Sequence, residues 1–166
     1  MKTKKLVYLS LLTAMALVVS IVEQSLPIPI PVPGAKLGLS NAMVLITMVV
    51  FGGFEALGIA CLKSVLLVLI TGSVTGFFYS FAGALLSCLM MQVAYAYFTP
   101  PFSLIGVSEI GAFFHNVGQL TVAMFVLENR GIFYYLPVMT LLAVATGFIV
   151  GLVSHFVSGQ LKRVFL

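Results

Sequence analysis

Aspartate and tryptophan are missing from this sequence altogether, and Glu23, Glu55, Glu109 and Glu128 are its only side-chain carboxylates. Charged residues make up 7% of the 166 residues, while 61% are hydrophobic and the mean hydropathy is +1.22. A soluble domain carries about 25% charged residues, so there is too little charge here for a water-facing surface. The composition is that of an integral membrane protein. Cysteine is equally scarce. Cys61 and Cys88 lie inside apolar runs without CxxC or Cys/His spacing, which suits buried packing rather than a disulfide or metal site. His115 and His155 are too far apart to make a metal set, and no catalytic constellation or Gly-rich phosphate loop is found. The net charge of +4 comes mostly from the two ends, so it speaks to membrane topology and not to nucleic acid.

What is present is a series of apolar runs. A helix needs about 20 apolar residues to cross the hydrocarbon core, and the runs place spans at about 6–25, 39–52, 54–71, 76–98, 103–127 and 133–157. The first run resembles a signal peptide, but Glu23, Gln24 and prolines follow it in place of a small-residue cleavage site, so a retained span is expected. The expectation is therefore an all-α integral membrane protein, one compact domain over 1–166 with six transmembrane helices. An even number of spans puts both termini on one side, and Lys2, Lys4, Lys5, Lys162 and Arg163 make that side cytoplasmic.

On this topology the stretch 26–38 lies outside, between the first two spans. Pro27, Pro29, Pro31 and Pro33 alternate there with Ile28, Ile30 and Val32. Proline fixes φ and has no N–H, so the strip is neither helix nor central strand. Non-helical backbone cannot face lipid and must lie on protein, line a cavity or sit in the interface. The strip is either a rigid connector or a lid over a binding site.

Ionisable groups at bilayer depth are costly and turn inward. Lys63 lies in the middle of the third span. In the fifth, Glu109, Ala112, Asn116, Gln119 and Ala123 fall on one helical face flanked by Ser108 and His115, with Ile105, Phe113, Phe114 and Leu120 opposite. Two readings are open: a Glu109–Lys63 pair with amides bonding between helices, or a polar wall for a small ligand. Glu23, Lys36, Asn41 and Tyr79 reach the same outer half and join Lys63, His115, Asn116 and Gln119 as candidate substrate-binding residues. Tyr134 and Tyr135 either reach the same outer half or belong to the interfacial aromatic belt, and His155 suits the inner interface. Gly147 and Gly151 allow close helix contact, whereas Gly72 and Gly76 straddle a loop. Ser10 and Ala14 form a small-residue face on the first span, open to another helix of this chain or of a partner.

The stretches LLTAMALVVSIVE, PIPVPGAKLGLSN and FSLIGVSEIGAFFHNVGQL resemble the Gx transporter family, also labelled heptaprenyl diphosphate synthase component I, over nearly the whole chain. That family resembles the S-components of energy-coupling factor (ECF) vitamin importers. The resemblance implies a substrate held in the outward half beneath the loop between helices one and two. It also implies a small-residue face on helix one, here Ser10 and Ala14, docked on a transmembrane scaffold subunit coupled to paired ATPases. No cofactor is then expected in this chain, ATP being used by the partner subunits. The ligand would be a small molecule, vitamin-like, flavin or quinone-related, and the location the bacterial cell membrane.

The synthase label meets a chemical objection. Prenyl diphosphate synthases hold Mg²⁺ and pyrophosphate on Asp-rich clusters, because hard cations take several carboxylate oxygens. A chain without aspartate is not expected to be the enzyme. The alternative to import is a non-catalytic membrane subunit in isoprenoid-quinone synthesis or flavin-linked extracellular electron transfer. A third reading is a structural assembly subunit with the polar stripe as internal glue.

Overall fold

The computed structural model describes residues 2–26 and 36–165, so the Pro27 to Pro33 strip of the expected lid lies outside the described residues. Six α-helices follow one another: α1 (Lys2–Ser25), α2 (Asn41–Val50), α3 (Gly53–Thr71), α4 (Val74–Phe98), α5 (Leu104–Val126) and α6 (Leu136–Phe165), the last entered through a 3-10 turn at Arg130–Tyr135. Helix ends follow local chemistry. Ser73 and Ser103 cap α4 and α5 by accepting from the N–H of Gly76 and Gly106. Gly72 closes α3 with φ +68°, its N–H returning to the Val68 carbonyl. Lys162 and Arg163 occupy the last turn of α6, where positive charge complements the helix dipole.

Among the described residues, four helical runs are long and apolar enough to cross a bilayer: Thr3–Ser25, Gly53–Thr71, Val74–Phe98 and Arg130–Val164. α5 has the length, but its polar stripe lowers its hydropathy. Together they make a multi-pass, all-α membrane bundle. The expected span at 39–52 requires correction, since α2 has ten residues, about 15 Å at 1.5 Å per residue, against a core about 30 Å thick. The chain enters it through a turn, and the side chains of Ser40 and of Asn41, its first residue, are drawn to Lys63 at the middle of α3. α2 is thus a half-length helix, and every residue from Asn41 to Met48 is buried in the protein.

α5 packs most extensively, against α4 on one side and α6 on the other. Glycines set these distances. A Cβ built on Gly118 would lie 2.7 Å from the Ala82 carbonyl oxygen, and one on Gly151 would lie 2.4 Å from Ile105 Cα. A Cβ on Gly147 would come within 3.0 Å of Glu109 Cα, so the expected close contact of α6 through Gly147 and Gly151 is made with α5. The larger apolar cluster wraps α2 with Leu12, Ala16, Ile59, Ala84, Met91 and Val107. A smaller one joins Tyr79, Leu120, Ala123, Ile132 and Met139 at the opposite end of α4 and α5. Large apolar side chains remain outside, among them Leu6, Leu11, Val18, Leu69, Leu141 and Phe156. In a bilayer this is the lipid-facing surface. Tyr134 is exposed and Tyr135 half-buried, Cys88 is buried, and both cysteines are free.

Candidate functional site

The connection before α2 enters the bundle as bare backbone, and side chains from three helices receive it. Glu23, at the end of α1, accepts from the N–H of Leu39 at 2.7 Å and of Ser40 at 3.4 Å. Gln119 of α5 accepts through Oε1 from the N–H of Lys36 at 3.1 Å. Lys63 of α3 donates to Ser40 Oγ at 2.7 Å and to Asn41 Oδ1 at 3.0 Å. Irregular backbone is tolerated at membrane depth where protein satisfies its polar groups, and Glu23 and Gln119 do so for the N–H groups of Lys36, Leu39 and Ser40. Gly38 belongs to the same fit, with φ +82° and its α-carbon so placed that a Cβ would lie 3.1 Å from His115 Cδ2.

These contacts also fix the state of His115. Because Lys36 N–H holds Gln119 by its oxygen, the Gln119 amino group faces His115 Nε2 at 2.8 Å, and that nitrogen must accept. The ring proton then sits on Nδ1, which lies against Gly83. Asn41 Nδ2, 3.2 Å from the same nitrogen, donates to Ser87 Oγ at 3.3 Å. The imidazole is therefore neutral, wedged against Gly83, where a Cβ would lie 2.8 Å from Nδ1. A small cavity with room for about one water molecule lies beyond, lined in part by Asn41, Ser87, Ser108 and Thr146.

A model of the family described as heptaprenyl diphosphate synthase component I matches residues 12–157. The chain belongs to this family. No curated protein and no solved structure matches it. The match to heptaprenyl diphosphate synthase component I takes in the whole polar centre from Glu23 to Gln119, and Ala14, but starts beyond Ser10.

Of the candidate residues, Glu23, Lys36, Asn41, Lys63, His115 and Gln119 come together in one network. Asn116 turns away from it, donating through Nδ2 to the Met139 carbonyl of α6 at 2.8 Å. Tyr79 is buried in the smaller apolar cluster, and among the described residues its hydroxyl has no hydrogen-bond partner. The Lys63–Glu109 pair does not form: Lys63 is held by the loop, while Glu109 lies against Gly147 of α6. Among the described residues the ion pair is Lys5–Glu55, at the starts of α1 and α3. Ser10 and Ala14 are exposed and line an apolar groove between those two helices with Leu6, Leu17, Phe54 and Leu62.

Ser40, Gly83 and Ser87 also build the network, and sequence reasoning passed over them. The last two share a helical face with Tyr79, Ser80 and Met91. That row of small and polar residues in an apolar run was the available signal.

Lys36 is the outlier. Its side chain is 5% exposed, and among the described residues its ammonium has no hydrogen-bond partner. Burial lowers its pKa from 10.5 to about 8, with the nearby Glu23 carboxylate acting in the opposite sense.

Proposed function

We propose that this protein is the substrate-binding membrane subunit of an ECF-type importer in the bacterial cytoplasmic membrane. It captures a small molecule in its outward half beneath the segment 26–38. The reading rests on one observation above all. A non-helical loop penetrates the bundle and is held by side-chain hydrogen bonds from α1, α3 and α5, bonds that can break and re-form without unfolding a helix. The polar centre below the loop gathers Asn41, Lys63, His115 and Gln119. Both termini are cytoplasmic on this reading, and the substrate enters from the opposite side. The groove holding Ser10 and Ala14 is the docking face for a transmembrane scaffold whose paired ATPases hydrolyse ATP. The chain itself is non-catalytic.

The family name favours a second reading, a non-catalytic accessory subunit in isoprenoid-quinone synthesis. Native mass spectrometry of the detergent-purified chain separates the two. One water-soluble molecule per chain is expected. Recovery of polyprenyl lipid or quinone alone would overturn import in favour of the accessory role.

A further inference from the structure

The polar centre has one positive charge too many. Lys36 and Lys63 are both buried, and Glu23 is the buried carboxylate among the described residues. The remaining carboxylates do not restore the balance. Glu55 pairs with Lys5, Glu109 lies against α6, and Glu128 is exposed beyond the end of α5. Nor can the stretch 27–35, PIPIPVPGA, which contains no ionisable side chain. His115 is neutral by the hydrogen-bond argument above. Glu23, moreover, is engaged by two backbone N–H groups, and Lys63 by two neutral oxygens, so the ammonium of Lys36 is the charge left over. A buried cation without partner is among the costliest features a fold retains.

A second unmatched donor lies at the same level. Gly83 of α4 packs on Gly118 of α5, so Tyr79, one turn from Gly83, stands level with Gln119 to Val122. Gln119 in turn holds the Lys36 backbone. The Tyr79 side chain is 2% exposed and its hydroxyl is unpartnered. An ammonium and a phenol, both buried and both lacking acceptors, meet the needs of an acid group.

We propose that the site takes a small organic anion, a carboxylate or phosphate ester, whose acid group is bound by Lys36 Nζ with the Tyr79 hydroxyl as second donor. This rests on the substrate-binding reading and narrows its substrate to acids. Lys63 is the anchor of the loop and not the anion contact, because both its bonds are to the segment it holds.

The test uses the full chain in detergent, dialysed free of small molecules, as wild type, Lys36→Met, Lys36→Arg and Tyr79→Phe. Thermal unfolding is followed with shape-matched acid and neutral probes: nicotinate and nicotinamide, biotin and its methyl ester, FMN and riboflavin. The first two acids present a carboxylate and the third a phosphate, which distinguishes the two sources of charge. Without probe, Lys36→Met should raise Tm by a few degrees, because it removes an unmatched charge. One acid should stabilise the wild type while its neutral counterpart does not. Lys36→Met should weaken that acid about 10- to 100-fold, the worth of a charge-assisted hydrogen bond. Lys36→Arg should keep most of the affinity, and Tyr79→Phe should lose less than Lys36→Met.

A neutral probe that binds wild type and Lys36→Met alike would overturn the anion proposal and leave the substrate-binding reading standing. A fall in Tm for Lys36→Met without probe would also overturn it, by making Lys36 a structural group. If no probe shifts any variant and native mass spectrometry finds no bound small molecule, the substrate-binding reading falls and the anion proposal with it.

Discussion

α4 and α5 meet with no room to spare, whereas α1 and α3 leave a groove between them. On the α4–α5 side, Gly83 and Gly118 bring backbone against backbone, and His115 fills what is left. On the α1–α3 side, Ser10 and Ala14 are exposed, and a Cβ on Gly58 would meet nothing within 4 Å. Both pairs use small residues, to opposite ends. The closed pair shields polar groups that bond to one another inside the protein, Gln119 to His115 and Asn41 to Ser87 among them. The open pair needs no such seal, since lipid or another helix fills an apolar groove at little cost. A small residue in a membrane helix therefore means contact only when something opposite uses the space.

The sharpest way to break this comparison is to add the same bulk to each side. Gly118→Leu should abolish recovery of monodisperse protein on size-exclusion chromatography, because even its Cβ would lie 2.7 Å from a backbone carbonyl. Gly58→Leu should leave the yield near wild type. Equal yields would show that the α4–α5 contact is not close.

Glu23→Ala should come next in size. It leaves the N–H groups of Leu39 and Ser40 unsatisfied inside the protein, a loss of about 2–4 kcal/mol. Thermal unfolding would register it, and faster backbone amide exchange at both residues would localise it.

A smaller effect concerns the two charges that sequence spacing first brought together. Lys63→Met and Glu109→Gln should add within about 0.5 kcal/mol in a double-mutant cycle, as independent sites do. A larger coupling would restore the Lys63–Glu109 pair. Least of all, Ser10→Leu should change stability by no more than about 0.5 kcal/mol. The same substitution should abolish capture of a co-expressed scaffold subunit and its ATPases, and undiminished capture would remove the groove from the docking model.

Much of this was legible in the sequence. Long apolar runs announce helices because a bilayer imposes their length, and the bounds of α3, α4 and α5 fall within about two residues of those expected. Lys63, His115 and Gln119 stood out because polar groups in such runs need partners. What could not be read was which partner. Lys63 had a carboxylate at a plausible depth in Glu109, but periodicity orders residues around one helix and says nothing about how that helix is turned toward the next. The true partners, Ser40 and Asn41, sat where an apolar span was expected to begin. Asn116 shows the same limit: it shares the stripe with Gln119, yet its amide goes to the Met139 carbonyl on α6. One stripe serves two neighbours, and only the packing divides it.

The brevity of α2 has a consequence for how the chain is made. Ten residues are too few to be taken up as a membrane span while the protein is being synthesised. Yet α1 and α3 both start at the Lys5–Glu55 end and run in the same direction, so the chain between them must return across the layer. α2 can settle only once α3 is beside it. The loop ahead of α2 can be secured only after Gln119, 83 residues beyond Lys36, has been synthesised and inserted. That loop thus finds its place only after α5 has been made. Held by a handful of side chains rather than by a helix of its own, it is also the part whose release disturbs the least.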